Sequence, residues 1–73
     1  MDIQNRFPQR LKQLRKGKKI SRRTLSGLCG LSSGAVRRYE SGEVAPSFDS
    51  AVAIADFFGV SMDYLAGRSD SVE

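Results

Sequence analysis

A chain of 73 residues, 40% of them hydrophobic, is long enough for one small core and too apolar for wholesale disorder. Its single cysteine excludes an internal disulfide, the absence of histidine leaves almost no nitrogen or sulfur ligands for a metal, and no apolar run approaches the ~18 residues of a membrane span. The net charge of +4 conceals a division, because residues 1–38 hold eleven of the twelve basic residues against one acid while residues 39–73 hold Arg68 against seven acids, so the halves carry +10 and −6.

The first predicted helix covers about residues 6–16, where Phe7, Leu11 and Leu14 at i, i+4 and i+7 form one apolar stripe. Pro8 fits its first turn, where a backbone N–H has no intrahelical partner to lose. Arg10, Lys12, Arg15 and Lys16 fall mostly outside the stripe, and Lys18 and Lys19 carry the positive cluster into the loop. Serines mark four later starts: Ser21, Ser32, Ser47 and Ser61 each precede a helical pattern, and an N-cap hydroxyl contributes roughly 1 kcal/mol. Glycines mark the stops at Gly30, Gly42 and Gly59, with Leu31 and Val60 placed for the apolar contact that accompanies such ends.

In the second helix Leu25, Leu28 and Cys29 share a core face, and Ser26 is small enough for a close helix crossing. The third, 33–41, buries Val36 and Tyr39. Beyond the EVAPS loop, which Pro46 keeps from continuing as helix, the fourth helix, 48–58, is the most apolar. Phe48, Ala51, Val52, Ala55 and Phe58 line one of its faces and Ile54 and Phe57 widen it, so it is the expected central packing element. A fifth, 62–66, offers Met62 and Leu65 before a polar tail, 68–73, that reads as disordered. Five helices and no strand-like alternation predict an all-α, compact five-helix bundle.

The third helix leaves Ser33, Gly34, Arg37, Arg38 and Ser41 on the face opposite its apolar pair. Small residues, hydroxyls and two guanidinium groups can approach another surface closely while offering fixed donors, as reading base edges in a major groove requires. The charge division has a bland reading, a solvated basic face without a partner, and a sharper one, a basic face for a polyanion with the acidic half turned away.

The run ISRRTLSGLCGLSSGAVRRYESGEVAPSFDSAVAIADFFGVSMDYLAG resembles the Cro and phage-repressor type of helix-turn-helix domain, the XRE family. The likeness covers about residues 11–67, leaving 1–10 as an arm and the start of helix 1, and 68–73 as the tail. Arg15 at the end of helix 1, the G-L-S turn, the R-Y-E-S-G ending, the P-S start and A-D-F-F-G-V-S-M-D-Y-L-A-G are specific in combination. The resemblance implies a lambda-repressor-like fold with its helix-turn-helix at about 22–41 and residues 33–41 as the recognition helix. It places Ser33, Gly34 and Arg38 at base-contacting positions, with Arg37 beside them in reach of a base or a phosphate. Arg22 stands where relatives have a glutamine gripping a phosphate, and Arg23, Ser32, Ser41, Arg10 and Lys19 complete the expected phosphate contacts. It also implies a mostly buried ion pair between Arg15 and Glu40, which otherwise read as an exposed pair contributing under about 1 kcal/mol.

Three departures bear on this. Ser33 and Gly34 replace longer polar residues, which thins direct readout and shifts weight to Arg37, Arg38 and DNA shape. The family's glycine before the second helix is Lys19, so either Lys19 is left-handed or helix 1 ends sooner. Glu43 and Val44 stand where relatives often have basic residues, so fewer phosphate contacts are expected there.

Cys29 reads as packing rather than chemistry, and Tyr39 and Tyr64 as core-edge aromatics rather than platforms for single-stranded bases. With no paired nucleophile and base and no Gly-rich phosphate loop, the chain is not expected to be an enzyme, nor to need a metal or cofactor. The polar start lacks the apolar stretch of a signal peptide, which suits a cytoplasmic protein. The expected function is therefore transcriptional regulation, as a repressor, through sequence-specific binding of double-stranded DNA. Useful affinity calls for a homodimer, formed in solution or only on DNA, on a near-palindromic operator with half-sites roughly 34 Å apart. Phe57, Val60, Met62 and Leu65 are its candidate contacts, unless they belong to the core. Two rivals are an antitoxin-like protein-interaction module and a basic domain adhering to nucleic acid or anionic membrane without sequence preference.

Overall fold

The computed structural model describes residues 6–71; residues 1–5 of the N-terminal arm and residues 72–73 of the tail lie outside the described residues. Among those described, five α-helices and no strand form: α1 (Phe7–Gly17), α2 (Arg22–Leu28), α3 (Ala35–Ser41), α4 (Phe48–Phe58) and α5 (Met62–Ala66). Three of the four serine starts are made as expected. The hydroxyls of Ser21, Ser47 and Ser61 accept from the backbone N–H groups of Thr24, Ser50 and Tyr64 at 3.0, 3.1 and 3.0 Å. Ser32 is the exception, because α3 begins at Ala35 with Gly34 in the cap position and no side-chain cap of its own.

The helices share one way of ending. A left-handed residue follows, and the next N–H reaches back five residues, as from Leu31 to the Ser26 carbonyl at 2.8 Å and from Val60 to Ala55 at 3.0 Å. Gly42 and Gly59 take this conformation at φ 82° and 69° without a Cβ to obstruct it. After α1 the same place falls to Lys19 at φ 58°, the one non-glycine residue with positive φ among those described. Of the two alternatives for this turn, the left-handed lysine is the one adopted, and Gly17 remains helical.

Leu11, Leu25, Val36 and Ile54 are fully buried at the centre, with Leu65, Phe7, Ala35, Tyr39, Ala51 and Ala55 around them. The Phe7 and Tyr39 rings meet edge to face at 5.8 Å. α3 packs against both α1 and α2, while α5 lies against α1 and α4. The expected central role of α4 is not met: its main packing partner is α5 alone, whereas α1, α3 and α5 each lie against two helices. A Cα radius of gyration of 10.9 Å is what a chain of this length reaches around one core.

Two residues assigned to the core are outside it. Leu28 is 58% exposed, because the inward face of the short α2 is Leu25, Ser26 and Cys29, at i, i+1 and i+4. Phe48 is 74% exposed at the first position of α4, one turn before Ala51, the first buried residue of that helix.

Candidate nucleic-acid interface

α2 and α3 are fastened by one buried hydroxyl. Ser26 has no exposed surface; its Oγ donates to the Arg22 carbonyl at 2.9 Å and accepts from the Val36 N–H at 3.1 Å. Val36 is in the first turn of α3, where backbone donors lack intrahelical partners, so a side chain of α2 does what the missing cap of α3 would have done. Sequence reasoning valued Ser26 for its size and missed this bond. A contact ten residues away leaves no periodic trace, and a serine on a core face was the only hint.

The crossing that Ser26 enforces brings the first turn of α2 beside the start of α3. A shallow cleft opens between them, lined by Ser21, Arg22, Arg23, Ser33, Gly34 and Arg37. Ser33 and the Arg37 side chain are exposed, while Gly34 and Arg38 are partly covered. The two neighbouring arginines go different ways. Arg37 Nη1 lies 3.6 Å from Glu43 Oε2 across solvent-exposed surface, a loose pairing of little energetic weight. Arg38 folds back along α3, and its Nη2 donates to Ser32 Oγ at 3.3 Å. At the far end of the helix the Ser41 hydroxyl lies 2.9 Å from both the Arg38 carbonyl and Glu43 Oε2, and it accepts weakly from the Glu43 N–H. Glu43, expected only to lack positive charge, is thereby tied to two of the candidate contact residues.

A family model described as helix-turn-helix matches residues 11–65. The chain belongs to this family. It is 36% identical over 64 residues to YobD, named an uncharacterized HTH-type transcriptional regulator, of Bacillus subtilis (strain 168), covering 88% of this chain and 57% of that protein. It is 36% identical over 66 residues to the HTH-type transcriptional activator BcrR of Enterococcus faecalis, covering 90% of this chain and 32% of BcrR. It is also 33% identical over 63 residues to the cryptic phage CTXphi transcriptional repressor RstR of Vibrio cholerae, covering 86% and 56%. The chain spans about half the length of most of these curated relatives and about a third of BcrR. No solved structure shows a significant match.

Within the helix-turn-helix domain, Arg15 forms a two-pronged pair with Glu40, Nε to Oε2 at 2.6 Å and Nη2 to Oε1 at 3.0 Å, and its Nη1 donates to the Ile20 carbonyl at 2.9 Å. Both side chains are largely buried, at 12% and 6% exposure. The hydrogen bonds that Arg15 donates to Glu40, more than offsetting the opposing effect of burial, hold the guanidinium pKa above its ordinary range. The pair anchors α1 to the end of α3, and through Ile20 to the turn that carries Lys19.

Arg10 leaves the set of expected phosphate contacts. Its guanidinium donates to the Tyr64 and Ser69 carbonyls at 3.1 Å each and to Asp70 Oδ1 at 2.9 Å, and it sits 4.1 Å above the Tyr64 ring. These bonds also hold the start of the tail, through Asp70, against α1 rather than leaving it free. Leu65 leaves the set of dimer contacts, being 2% exposed within the core. Phe57, Val60 and Met62 are partly buried and pack on that core, with the Lys18 ammonium 5.8 Å above the Phe57 ring. Cys29 is half-buried, which pushes its thiol pKa upward and away from reactivity. No described helix is long and apolar enough to cross a membrane.

Proposed function

We propose that this chain regulates transcription in the cytoplasm by binding double-stranded DNA in a sequence-dependent way, with α3 in the major groove. The observation that carries the reading is the cleft at the α2–α3 junction, which Arg22, Arg23 and Arg37 line together with the small residues Ser33 and Gly34 at the start of α3. Small residues at the start of α3 let the helix approach closely between sugar–phosphate ridges, and the flanking cations neutralise the phosphates. Ser33, Arg37 and Arg38 then contact bases, while Arg22, Arg23, Lys19 and Ser41 contact phosphates. Gly34 contributes no side chain.

The described chain measures 29 Å in its longest dimension, less than the roughly 34 Å between successive major grooves on one face of the duplex. One copy therefore reads one half-site, and two copies on a near-palindromic operator supply the affinity that a single small interface lacks. We take the outcome to be repression, in keeping with the name of RstR, although BcrR is named an activator.

Selection of bound duplexes from a random-sequence library tests the reading directly. A recovered palindrome with half-sites about one helical turn apart supports it; duplexes no different from the starting pool would refute sequence-dependent binding and leave a sequence-blind basic domain. A reporter gene placed behind the selected site separates repression from activation.

A further inference from the structure

We propose that Ser32 and Gly34 act as positioning residues for Arg38, holding its guanidinium across the start of α3 and so deciding which base edge it reads; the inference rests on the DNA-binding reading above. Two independent features meet at this place. Ser32 Oγ accepts from Arg38 Nη2 at 3.3 Å, so one of the five guanidinium donors is fixed and the others remain for a ligand. The second feature is the glycine. At φ −99° and ψ 4° residue 34 has a backbone conformation that Lys18 and Cys29 of the same chain also adopt, so conformation does not require glycine there. The space a Cβ would take does give one. It lies 3.1 Å from Arg38 Nη1 and 3.7 Å from Cζ, and no other residue supplies any of its three nearest contacts.

The direction matters as much as the anchoring. Helical side chains lean toward the N-terminus of their helix, and Arg38 follows this to the end that enters a major groove in helix-turn-helix proteins. A guanidinium can meet guanine O6 and N7 with two parallel bonds only if its plane is held, and an arginine already held loses less freedom on binding than one that sweeps through solvent. Ser32 and Gly34, small and themselves able to offer a base little, thus acquire a role in specificity through their neighbour.

The test uses the duplex preferred by the wild-type chain in random-library selection, together with its single-base-pair variants, in anisotropy titrations at fixed salt. Wild type, Ser32→Ala, Ser32→Thr, Gly34→Ala and Arg38→Ala are compared, with the double variant Ser32→Ala/Arg38→Ala. Arg38→Ala should lose roughly five- to a hundredfold discrimination at one base pair per half-site. Ser32→Ala and Gly34→Ala should lose part of that, about three- to tenfold, at the same base pair and nowhere else. Ser32→Thr keeps the hydroxyl and should restore the wild-type profile, and Ser32→Ala should add nothing once Arg38 is gone. Folding does not confound the result, since Ser32 is exposed and the Gly34 Cβ meets only the end of a flexible side chain. Equal weakening on every duplex would make Ser32 a phosphate contact and overturn the proposal, as would losses at a different base pair, additive losses or none. If the wild type selects no sequence at all, the DNA-recognition reading falls, and this inference with it.

Discussion

Lys19 shows how much one residue can reveal when its backbone is in the wrong place for its side chain. A lysine at φ 58° has its Cβ crowding the following carbonyl, which costs about 1 kcal/mol or more, and the glycines ending the other helices avoid that cost. Strain of this kind persists where a side chain has other work, and Lys19 sits in the basic loop that leads into α2. Lys19→Gly should therefore raise stability by about 0.5–1 kcal/mol in urea unfolding, after the added freedom of the unfolded chain is set against the relief. The same variant should bind all duplexes a few-fold more weakly, without altering base preference. A variant no more stable than wild type would show that the turn accommodates lysine without strain.

Between elements, two polar fastenings orient α3. One is the hydroxyl of Ser26 beneath its first turn, the other the Arg15–Glu40 pair at its end. Ser26→Ala leaves the Val36 N–H buried without an acceptor, so a loss of roughly 1–3 kcal/mol is expected in thermal and urea unfolding, although the volume change is slight. Glu40→Gln keeps the shape of its side chain but abandons the charge of Arg15. Breaking a buried pair costs about 3–5 kcal/mol, and the bond Arg15 keeps to the Ile20 carbonyl points to the lower end. The melting temperature should fall by more than about 10 °C; an unchanged value would mean that the pair contributes nothing to stability. Alkaline titration does not probe the pair equally well. A guanidinium whose pKa is raised in the folded state keeps its stabilising effect throughout the range below its ordinary value and loses it only as pH rises through the higher folded one.

For the molecule as a whole the division of charge matters more than the net +4. The +10 half contains α1, α2 and most of α3, whereas α4 and α5 belong to the −6 half. Such a molecule is drawn to a duplex with its basic side leading. If Arg22, Arg23 and Lys19 each meet a phosphate, as proposed, two copies on one site should give a slope of log K against log salt concentration of about −5, and Arg22→Ala should reduce its magnitude by about one per copy. A slope near zero would show that the basic side does not face the duplex.

What could be read from the residues alone was whatever depends on near neighbours in the chain. The serine starts at 21, 47 and 61, the glycine stops and the all-helical class are all set by interactions spanning three to five residues, and a linear reading contains those partners. The resemblance supplied more, including the Arg15–Glu40 partnership across 25 residues, which periodicity alone left as an exposed pair. Only the tertiary structure decided that Arg10 holds the chain end 54 to 60 residues away instead of facing outward, and that α3 is capped from α2 rather than by Ser32. It likewise decided that Phe48 and Leu28 stand in solvent, and that Arg38 lies along its own helix. The reason is common to all of these: a side chain's partner across the fold is chosen by how helices cross, and the crossing is determined by the whole core at once, not by the residues on either side.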